Sequence, residues 1–589
     1  MQQKNKQTYY LGFCATYHDP ALAILDEAGN ILFAEATERF LQYKRALNAE
    51  PDNLYLLPAL LQRYCPDATD FVVAGNWRDT RPLYERLAAG LGWLSPRGLM
   101  AREFRPLVAP VPTFQLHHMM ASQRQAIRRR NLNLARILRT DFPAATVTFR
   151  DFDHHLTHAA LACHGSPHSR AVCAVIDSYG EAGALAYYAY QDGRITPLFR
   201  SQGAQSLGFY YMKLTELCGF DWMSGEEWKV MGLAAYGKPD EKILMNLRAL
   251  LSVNGLDLAR PAPNTHTSLL RELERYRRSP GTPPEAAASL AASGQHFFVE
   301  VLNHLLTRLH QCHPEQNLVL AGGCALNSSA NGQILGETPF ESLFIPPAPA
   351  DDGTALGAAF LAWQQDHPGQ SLSFDHLSPY LGHAIPRQSI ERVARYSGLP
   401  VSFHPEGRMA EVAARRLAQG DIMGWVQGRA ELGPRALGNR SILADPRTAD
   451  IGERINRDVK FRERFRPYAP AILDEWGPDY FLDYQASPYM ERTLRFRPEV
   501  LEQVPAVVHV DGTGRLQTVK AAWNPLFHRL LSAFHQHSGV PVLLNTSFNV
   551  MGKPIVHGVE DAVAVFMSSG LDALVLGDFL FTKPGSGSA

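Results

Sequence analysis

The chain has 589 residues, 46% hydrophobic and 20% charged, so it can form several packed cores and is not a disordered chain. Its 57 basic and 58 acidic residues leave a net charge of −1, which excludes a polycation built for nucleic acid. The seven cysteines include no C-x-x-C pair, which argues against a disulfide framework and favours a cytoplasmic protein. The sequence has no apolar run of about 18 residues, so it predicts no membrane span.

The first predicted elements are short strands separated by polar turns. The strand candidates are YYLGFCAT, ALAILD and ILFAEATERF, with the turns YHDPA and EAGN between them. Residues 77–150 differ, because nine arginines and a single acid, Glu103, lie between Arg97 and Arg139 in a helical pattern. This composition predicts a basic helical insertion, which is either a solvated surface or a lid or docking surface for an anionic ligand.

After the insertion, strands and helices alternate. RAVCAVID and NLVLAGG are buried-strand candidates that end in glycine-containing turns, an α/β arrangement that leaves backbone N–H groups free for phosphate. Residues 366–382 are rich in Pro, Gly and Ser, so we predict a domain boundary near residue 375 and a second α/β domain after it. No repeat of fixed period is visible, and residues 583–589, KPGSGSA, read as a flexible tail or an expression scar.

One motif has the residue types of a metal site. In FDHHLTHAA, His154 and His158 are four residues apart and share a face if the segment is helical. Asp177 ends a predicted strand and Asp351 precedes a small-residue helix, positions that suit a divalent cation that also touches phosphate. Two histidines with carboxylates favour iron, manganese or zinc over magnesium. A coincidental histidine pair is the alternative interpretation.

A second group of residues has the chemistry of an anion site. The segment from Arg429 to Arg466 contains nine arginines and Lys460 against six acids. Arg435 and Arg440 lie there among Gly, Pro and Leu, where a charged group needs a fixed partner. Guanidinium forks match phosphate oxygens, although arginine–carboxylate pairs would explain some of these residues. In LLNTSFN, Ser547 and Asn549 present a hydroxyl and an amide that suit the same anion.

Two further motifs contain candidate nucleotide and proton-transfer residues. The loops AGGCALN and EEWKVMGLAAYG could offer backbone and side-chain donors to a nucleotide, and the alternative is that they form ordinary tight turns. The candidate nucleotide residues in these loops are Lys229, Gly232, Gly322, Gly323 and Asn327. In YHDPA, His18 has the chemistry of a general base for a hydroxyl, and Asp19 is placed to orient it. The chain lacks a Walker A loop, a dinucleotide-binding G-x-G-x-x-G after a strand and a G-x-S-x-G elbow.

Eleven segments in order along nearly the whole chain resemble the O-carbamoyltransferase family of nodulation-factor and antibiotic biosynthesis. They include YHDPALAIL, FDHHLTHAA, WKVMGLAAYGKP, ADDGTALGAA, GRAELGPRALGNRSILADPR, KFRERFRPYAPAIL and LLNTSFNVMGKPIVHG. The resemblance implies an α/β (α+β) protein of two domains. Residues 1–375 would form an actin-like ATPase domain similar to threonylcarbamoyl-transferring enzymes, and residues 376–582 a YrdC-like domain.

The resemblance also implies the reaction. The C-terminal domain would form carbamoyl-adenylate from carbamoyl phosphate and ATP, releasing pyrophosphate. The N-terminal domain would then transfer the carbamoyl group to a hydroxyl of a small-molecule natural product. Fe²⁺ is the metal most often implied, with Mg²⁺ accompanying ATP.

Matching motifs imply the following residue roles. Phosphate would be held by Arg435, Lys460, Arg466, Ser547 and Asn549. The metal would be held by His154, His158, Asp177 and Asp351, where the spacing to the next glycine favours Asp351 over Asp352. The nucleotide would be lined by Lys229, Gly232, Gly322, Gly323 and Asn327, and the acceptor side would have His18 as catalytic histidine with Asp19.

The sequence departs from the family in two places. In MSGEEWKVMG a bulky Trp228 precedes Lys229, where the family more usually has EGKVMG. The arginine-rich stretch between residues 97 and 139 matches no family motif, and acceptor specificity is expected there and in other variable loops. The acceptor itself stays open: an aminoglycoside, a β-lactam, a polyketide, a lipo-oligosaccharide or a guanidinium alkaloid. Alternative functions are carbamoyl transfer to tRNA or a protein, and a non-catalytic ATP-binding regulator.

Overall fold

The structure is a computed structural model that describes residues 7–78, 131–203, 205–372, 374–405, 407–463 and 465–584. Its strands are β1 (Thr8–Cys14), β2 (Ala21–Leu25), β3 (Ile31–Ala36), β4 (Asp70–Gly75), β5 (Thr146–Asp151), β6 (Arg170–Ile176), β7 (Leu185–Gln191), β8 (Arg194–Arg200), β9 (Ser252–Asn254), β10 (Asp257–Ala259), β11 (Asn317–Ala321), β12 (Ser342–Phe344), β13 (Val401–Phe403), β14 (Met423–Val426), β15 (Arg440–Ala444), β16 (Ala469–Leu473), β17 (Arg492–Arg495), β18 (Thr513–Val519), β19 (Val542–Ser547), β20 (Ala573–Leu576) and β21 (Phe579–Thr582).

The helices of these described residues are α1 (Thr37–Leu41), α2 (Leu57–Tyr64), α3 (Leu132–Asp141), α4 (His154–Gly165), α5 (Leu207–Leu217), α6 (Glu227–Ala234), α7 (Glu241–Leu250), α8 (Pro263–Glu274), α9 (Ala288–Cys312), α10 (Ser328–Asn331), α11 (Ile334–Glu337), α12 (Thr354–Asp366), α13 (Arg387–Tyr396), α14 (Arg408–Ala418), α15 (Asp450–Arg454), α16 (Gly477–Tyr480), α17 (Pro525–Ser538) and α18 (Val559–Ser568). A π-helix, Ile455–Lys460, follows α15 directly. No helix in the described part of the chain is long and apolar enough to cross a membrane.

The N-terminal region, residues 7–375, contains two five-stranded sheets of the same topology. In the first, β1 pairs antiparallel with β2 and parallel with β4, giving the order β3-β2-β1-β4-β5. In the second, β6 pairs antiparallel with β7 and parallel with β11, giving the order β8-β7-β6-β11-β12. Each sheet is thus an antiparallel meander extended by two parallel strands. This duplication is the actin-like ATPase fold.

Two helices, α4 and α12, lie at the junction of the two sheets. Helix α4 packs against α12 and the second sheet, and α12 packs against the first sheet. They approach closely at Gly357, where an added Cβ would lie 1.9 Å from the Thr157 carbonyl oxygen. The alanine-rich sequence of α12 is buried from Thr354 to Trp363, so this helix is a central core element. The junction fixes the first turns of both helices relative to each other.

The C-terminal region, residues 376–584, is built on one mixed nine-stranded sheet, ordered β13-β21-β20-β14-β15-β19-β16-β18-β17. Its interior strand β19 is buried over residues 542–545 and ends at two half-buried residues, Thr546 and Ser547. Helices α14 and α17 pack on each other beside the sheet. The apolar residues of the sheet and helices form a single core cluster.

The structure confirms the predicted mixed α/β fold and the strand–turn–strand beginning of the chain. It also shows a relation that the sequence hides, because the sheet topology repeats without a repeated sequence. The predicted insertion at 77–150 is too long, since α3 and β5 are ordinary elements packed into the first sheet. The rest of that insertion, residues 79–130, and tail residues 585–589 lie outside the described residues.

Candidate active site

Four buried side chains converge where the two sheets of the N-terminal region meet. His154 and His158 lie on the first turns of α4, Asp177 follows β6, and Asp351 precedes α12. One ligand atom from each lies within 4.8 Å of the others. The Nε2 atom of His154 is 3.4 Å from Asp177 and 3.5 Å from Asp351, and His158 Nε2 is 3.5 Å from Asp351. The four residues predicted as metal ligands are therefore brought together.

The electrostatics of this cluster fit a cation. Burial opposes the protonated form of His154, but Asp351 and Asp177 outweigh it and raise the pKa of this histidine well above its usual range. Despite burial, the two histidines lower the pKa of Asp177 to about 2. His158 Nε2 is buried and has no hydrogen-bond partner among the described residues. Two imidazole nitrogens and two carboxylates suit iron, manganese or zinc better than magnesium.

The Asp351–Asp352 pair is divided between two environments. Asp351 faces the two histidines, whereas the Oδ1 atom of Asp352 accepts a hydrogen bond from the Gly353 N–H at 3.1 Å. Burial, together with Asp19, Glu38 and Asp351, raises the pKa of Asp352 to about 8. Asp352 is therefore outside the four-residue cluster.

His18 lies beside the cluster, in the loop between β1 and β2. Its Nδ1 atom is 2.9 Å from the Oδ2 atom of Asp19 and 3.7 Å from the Oδ2 atom of Asp351. Asp19 is in turn 3.2 Å from Arg45, and this arginine and His18 lower the pKa of Asp19 against the opposing effect of burial. A carboxylate that accepts the Nδ1 proton leaves Nε2 available as a base. Asp19 therefore lies within hydrogen-bond distance of His18, and the catalytic roles of both residues stay predictions.

Three of the five predicted phosphate residues, Lys460, Ser547 and Asn549, meet at the end of β19. Lys460, the last residue of the π-helix, is 2% exposed and donates to the Ser547 hydroxyl at 3.2 Å and to Asn549 Oδ1 at 2.6 Å. The Ser547 hydroxyl also donates to Asn549 Oδ1 at 2.8 Å. Burial, with Arg462 and Arg466 nearby, lowers the pKa of Lys460 well below its usual range. This ammonium group is held by neutral oxygens, which leaves its charge uncompensated.

Two guanidinium groups of the cavity lining, those of Arg435 and Arg515, also lack carboxylate partners among the described residues. No ion pair of the described residues involves Arg435 or Arg515. Burial lowers the pKa of Arg435 to about 10, and burial with Arg435 and Arg462 lowers the pKa of Arg515 well below its usual range. The Arg515 Nε atom is buried without a hydrogen-bond partner in this part of the structure. Concentrated, unbalanced positive charge is the signature of an anion site.

Arg515 was missed by the sequence analysis. It lies in the middle of β18, in TGRLQTV, where a single arginine in an alternating strand is typical of a solvent-facing residue. No sequence signal distinguishes it from such a residue. Pairing of β18 with β16 is what carries it to the same edge as Ser547.

A single cavity of about 690 Å³ joins these two groups of residues. Its acidic end is lined by carboxylates of the N-terminal region, with His18 beside them: Asp19, Glu38, Asp177, Glu227, Asp351 and Asp352. Its basic end is lined by cations of the C-terminal region: Arg435, Lys460, Arg462, Arg466 and Arg515. The two ends belong to different regions of the chain, so the site exists only where these regions meet.

The predicted nucleotide residues are placed less uniformly. Gly232, Gly323 and Asn327 line the cavity, whereas Lys229 and Gly322 do not. Gly322 is structural, because its φ of 91° is left-handed and an added Cβ would lie 2.3 Å from the Ile176 carbonyl oxygen. The Lys229 ammonium is engaged by two carboxylates, Glu226 at 2.5 Å and Glu463 at 3.1 Å. A nucleotide contact by Lys229 stays a prediction.

Two family profiles match this chain. Residues 117–360 match the family profile described as Carbamoyltransferase N-terminus, and residues 414–583 match Carbamoyltransferase C-terminus. Both profiles contain candidate site residues, the first the four of the metal cluster and the second the five cations of the basic end.

Three relatives extend the match beyond the profiles. An uncharacterized protein of Synechocystis is 33% identical over 98% of this chain and 97% of its own length. Nodulation protein NolO of Bradyrhizobium diazoefficiens is 36% identical, over 73% of this chain and 79% of its own. The 3′-hydroxymethylcephem-O-carbamoyltransferase of Amycolatopsis lactamdurans is 34% identical, over 60% of this chain and 64% of its own. The chain belongs to the carbamoyltransferase family and is a carbamoyl-transferring enzyme.

Proposed function

We propose that the protein is an ATP-dependent O-carbamoyltransferase that works in two steps. At the basic end of the cavity, water would split carbamoyl phosphate into carbamate and inorganic phosphate, and the carbamate oxygen would attack the α-phosphate of ATP, forming carbamoyl-adenylate and releasing pyrophosphate. The acidic end would transfer the carbamoyl group to a hydroxyl of a small molecule, with AMP as the leaving group. The observation that carries the proposal is the one cavity that both ends line, because it gives a labile adenylate a path between two reaction sites.

The basic end supplies what the first step requires. Phosphate oxygens accept hydrogen bonds from guanidinium and ammonium groups, and Arg435, Lys460, Arg466 and Arg515 line this end. These cations are partly or fully buried, so their interaction with phosphate is stronger than in water. They also neutralise charge as pyrophosphate leaves. Ser547 and Asn549 hold Lys460 in place and add a hydroxyl and an amide for the same ligand.

The acidic end supplies the second step. His18, with its Nδ1 atom directed at Asp19, would accept the proton of the attacking hydroxyl at Nε2. The Gly323 N–H donates to Asp177 Oδ1 at 3.0 Å, which ties the glycine loop to the metal ligands. His154, His158, Asp177 and Asp351 would hold a divalent metal, Fe²⁺ in this proposal. When bound, that cation would stabilise negative charge on the adenylate phosphate.

Phosphorus NMR of the full-length protein tests the first step without knowledge of the acceptor. The sample contains ATP, carbamoyl phosphate, Mg²⁺ and Fe²⁺. We expect pyrophosphate together with carbamoyl-AMP or AMP, and both should require carbamoyl phosphate. Formation of ADP in place of AMP would contradict the proposal and would indicate a kinase-like use of the actin-like fold.

A further inference from the structure

Glu463 links the N-terminal and C-terminal regions through two ion pairs beside the cavity. One carboxylate oxygen is 3.1 Å from the Lys229 ammonium of the N-terminal region, and the other contacts the Arg466 guanidinium of the C-terminal region. The Lys229 and Arg466 side chains are only 8% and 7% exposed. We call this arrangement the Glu463 bridge.

The bridge occupies a group that phosphate would also use. A carboxylate and a phosphate accept hydrogen bonds from the same N–H groups of a guanidinium fork. Arg466 lines the cavity, and its guanidinium carbon is 4.1 Å from the centre of the Trp228 ring. The aromatic ring covers one face of the Arg466 guanidinium, Glu463 contacts one of its terminal nitrogens, and its Nε atom is buried without a hydrogen-bond partner among the described residues. A phosphate group that binds the remaining N–H groups of Arg466 lies beside the Glu463 carboxylate, and the two negative charges repel each other.

The other side of the bridge reaches the wall of the cavity. Lys229 lies on α6, and the same helix contributes Glu227, Trp228, Met231 and Gly232 to the cavity lining. Its ammonium has two carboxylate partners, Glu463 from across the boundary and Glu226 from the preceding turn. A change in the Glu463 contact therefore changes the charge balance at the start of α6.

We propose that Glu463 competes with the substrate phosphate for Arg466 and, through Lys229, couples phosphate binding at the basic end to helix α6 at the opposite wall. This inference rests on the proposed function, because it assumes that Arg466 binds phosphate. Glu463 is thus a positioning residue rather than a catalytic one. Phosphate on Arg466 leaves Glu463 paired with Lys229 alone, which strengthens that contact and draws α6 toward the C-terminal region.

Calorimetric titration of the full-length protein with inorganic phosphate tests the competition. We expect Glu463→Gln to bind phosphate about 5-fold more tightly than the unmodified protein, the scale of a partly exposed ion pair. Glu226→Gln is the matched control, because Glu226 contacts the same lysine but not Arg466, and its phosphate affinity should stay within about 2-fold of the unmodified value. Equal or weaker binding by a folded Glu463→Gln protein would overturn the competition.

Hydrogen exchange of the peptide covering residues 227–234 tests the coupling. In the unmodified protein, phosphate should slow exchange in this helix, and in Glu463→Gln phosphate should leave it unchanged. An identical response in both proteins would overturn the coupling. Arg466→Ala separates this inference from the proposed function. If Arg466→Ala retains its phosphate affinity, the phosphate site lies elsewhere and the proposed function is contradicted. If Arg466→Ala loses phosphate affinity but Glu463→Gln does not gain it, only the competition is refuted.

Discussion

The two ends of the cavity carry their buried charges differently. At the acidic end, one ligand atom from each of Asp177, Asp351 and the two histidines lies within 4.8 Å of the others, so the carboxylates have imidazole partners. At the basic end, Arg435 and Arg515 have no ion pair among the described residues, and Lys460 is surrounded by neutral oxygens. A buried charge without a partner is expensive, so this end is organised for an anion. The acidic end has the donor set of a cation site.

Replacing His18 should strongly reduce the reaction of the acidic end while leaving the reaction of the basic end intact, and this is the largest effect that we expect. We expect His18→Ala to reduce carbamoyl transfer by about 100- to 10,000-fold, the range of a general base. Pyrophosphate formation should persist, because the basic end is unaltered. Carbamoyl transfer is measured with a hydroxyl acceptor found by screening, and pyrophosphate formation is measured by phosphorus NMR. His537→Ala, whose imidazole contacts only the surface residue Glu411, is the control, and unchanged transfer in His18→Ala would refute the role of His18.

The opposite separation is expected at the basic end. Lys460→Ala and Arg515→Ala should each lower pyrophosphate formation by about 100- to 1,000-fold, because each removes a donor that stabilises phosphate charge. Arg457→Ala is the matched control, since Arg457 is exposed and pairs with its neighbour Asp458. Normal pyrophosphate formation in Arg515→Ala would show that its burial near Arg435 is structural. Metal content should be unchanged in all three variants.

Local patterns were sufficient for the elements and for part of the site. Helical spacing placed His154 and His158 on one face, and both Asp177 and Asp351 were found at the ends of predicted elements. The positions of these residues could be predicted because a histidine pair four apart, or a carboxylate after a strand, is defined within a few residues. The strands β1 to β3 were visible for the same reason, through β-rich runs broken by polar turns.

What the sequence did not reveal depends on contacts between distant segments. Arg515 joins Arg435 only through the pairing of β18 with β16, and Lys229 meets Glu463 only where the two regions touch. The duplicated sheets were hidden because topology is preserved by burial patterns, and many different apolar residues satisfy the same pattern. Strand β5 was assigned to an insertion, although it pairs with β4 and its residues are mostly exposed.

A change at the acidic end should show whether the four-residue cluster binds metal. We expect Asp351→Asn to lower metal affinity at least about 10-fold, because the amide is neutral and offers a weaker ligand oxygen. The adjacent Asp352→Asn is the matched control, since Asp352 is buried in the same turn but lies outside the cluster. Elemental analysis of the purified proteins after dialysis gives the metal content. An equal loss of metal in both variants would mean that metal binding depends on the conformation of the turn and not on Asp351 as a ligand.

The smallest effect is expected at a buried carboxylate away from the cavity. Glu35 is 2% exposed, yet its oxygens have protein partners: His557 Nδ1 at 3.2 Å and the His383 N–H, which donates at 2.8 Å. Burial raises the pKa of Glu35, but His557 and His383 outweigh it and lower the pKa from 4.5 to about 2. Because the folded pKa is depressed, this contribution to stability is complete above pH 4.5 and is lost as the pH falls toward 2.

Glu35→Gln should therefore lower the free energy of unfolding by about 2 kcal/mol at pH 6, the scale of a charge-assisted hydrogen bond. The difference between the two proteins should shrink as the pH falls below about 4.5, and urea unfolding at several pH values measures it. Metal content and pyrophosphate formation should be unaffected, since Glu35 lines neither end of the cavity. A pH-independent difference would mean that the substitution acts through packing and not through charge. If metal content and pyrophosphate formation are unchanged in Glu35→Gln, Glu35 differs from the cavity carboxylates. The partners of Glu35 are protein groups, whereas the cavity carboxylates are placed to bind a cation.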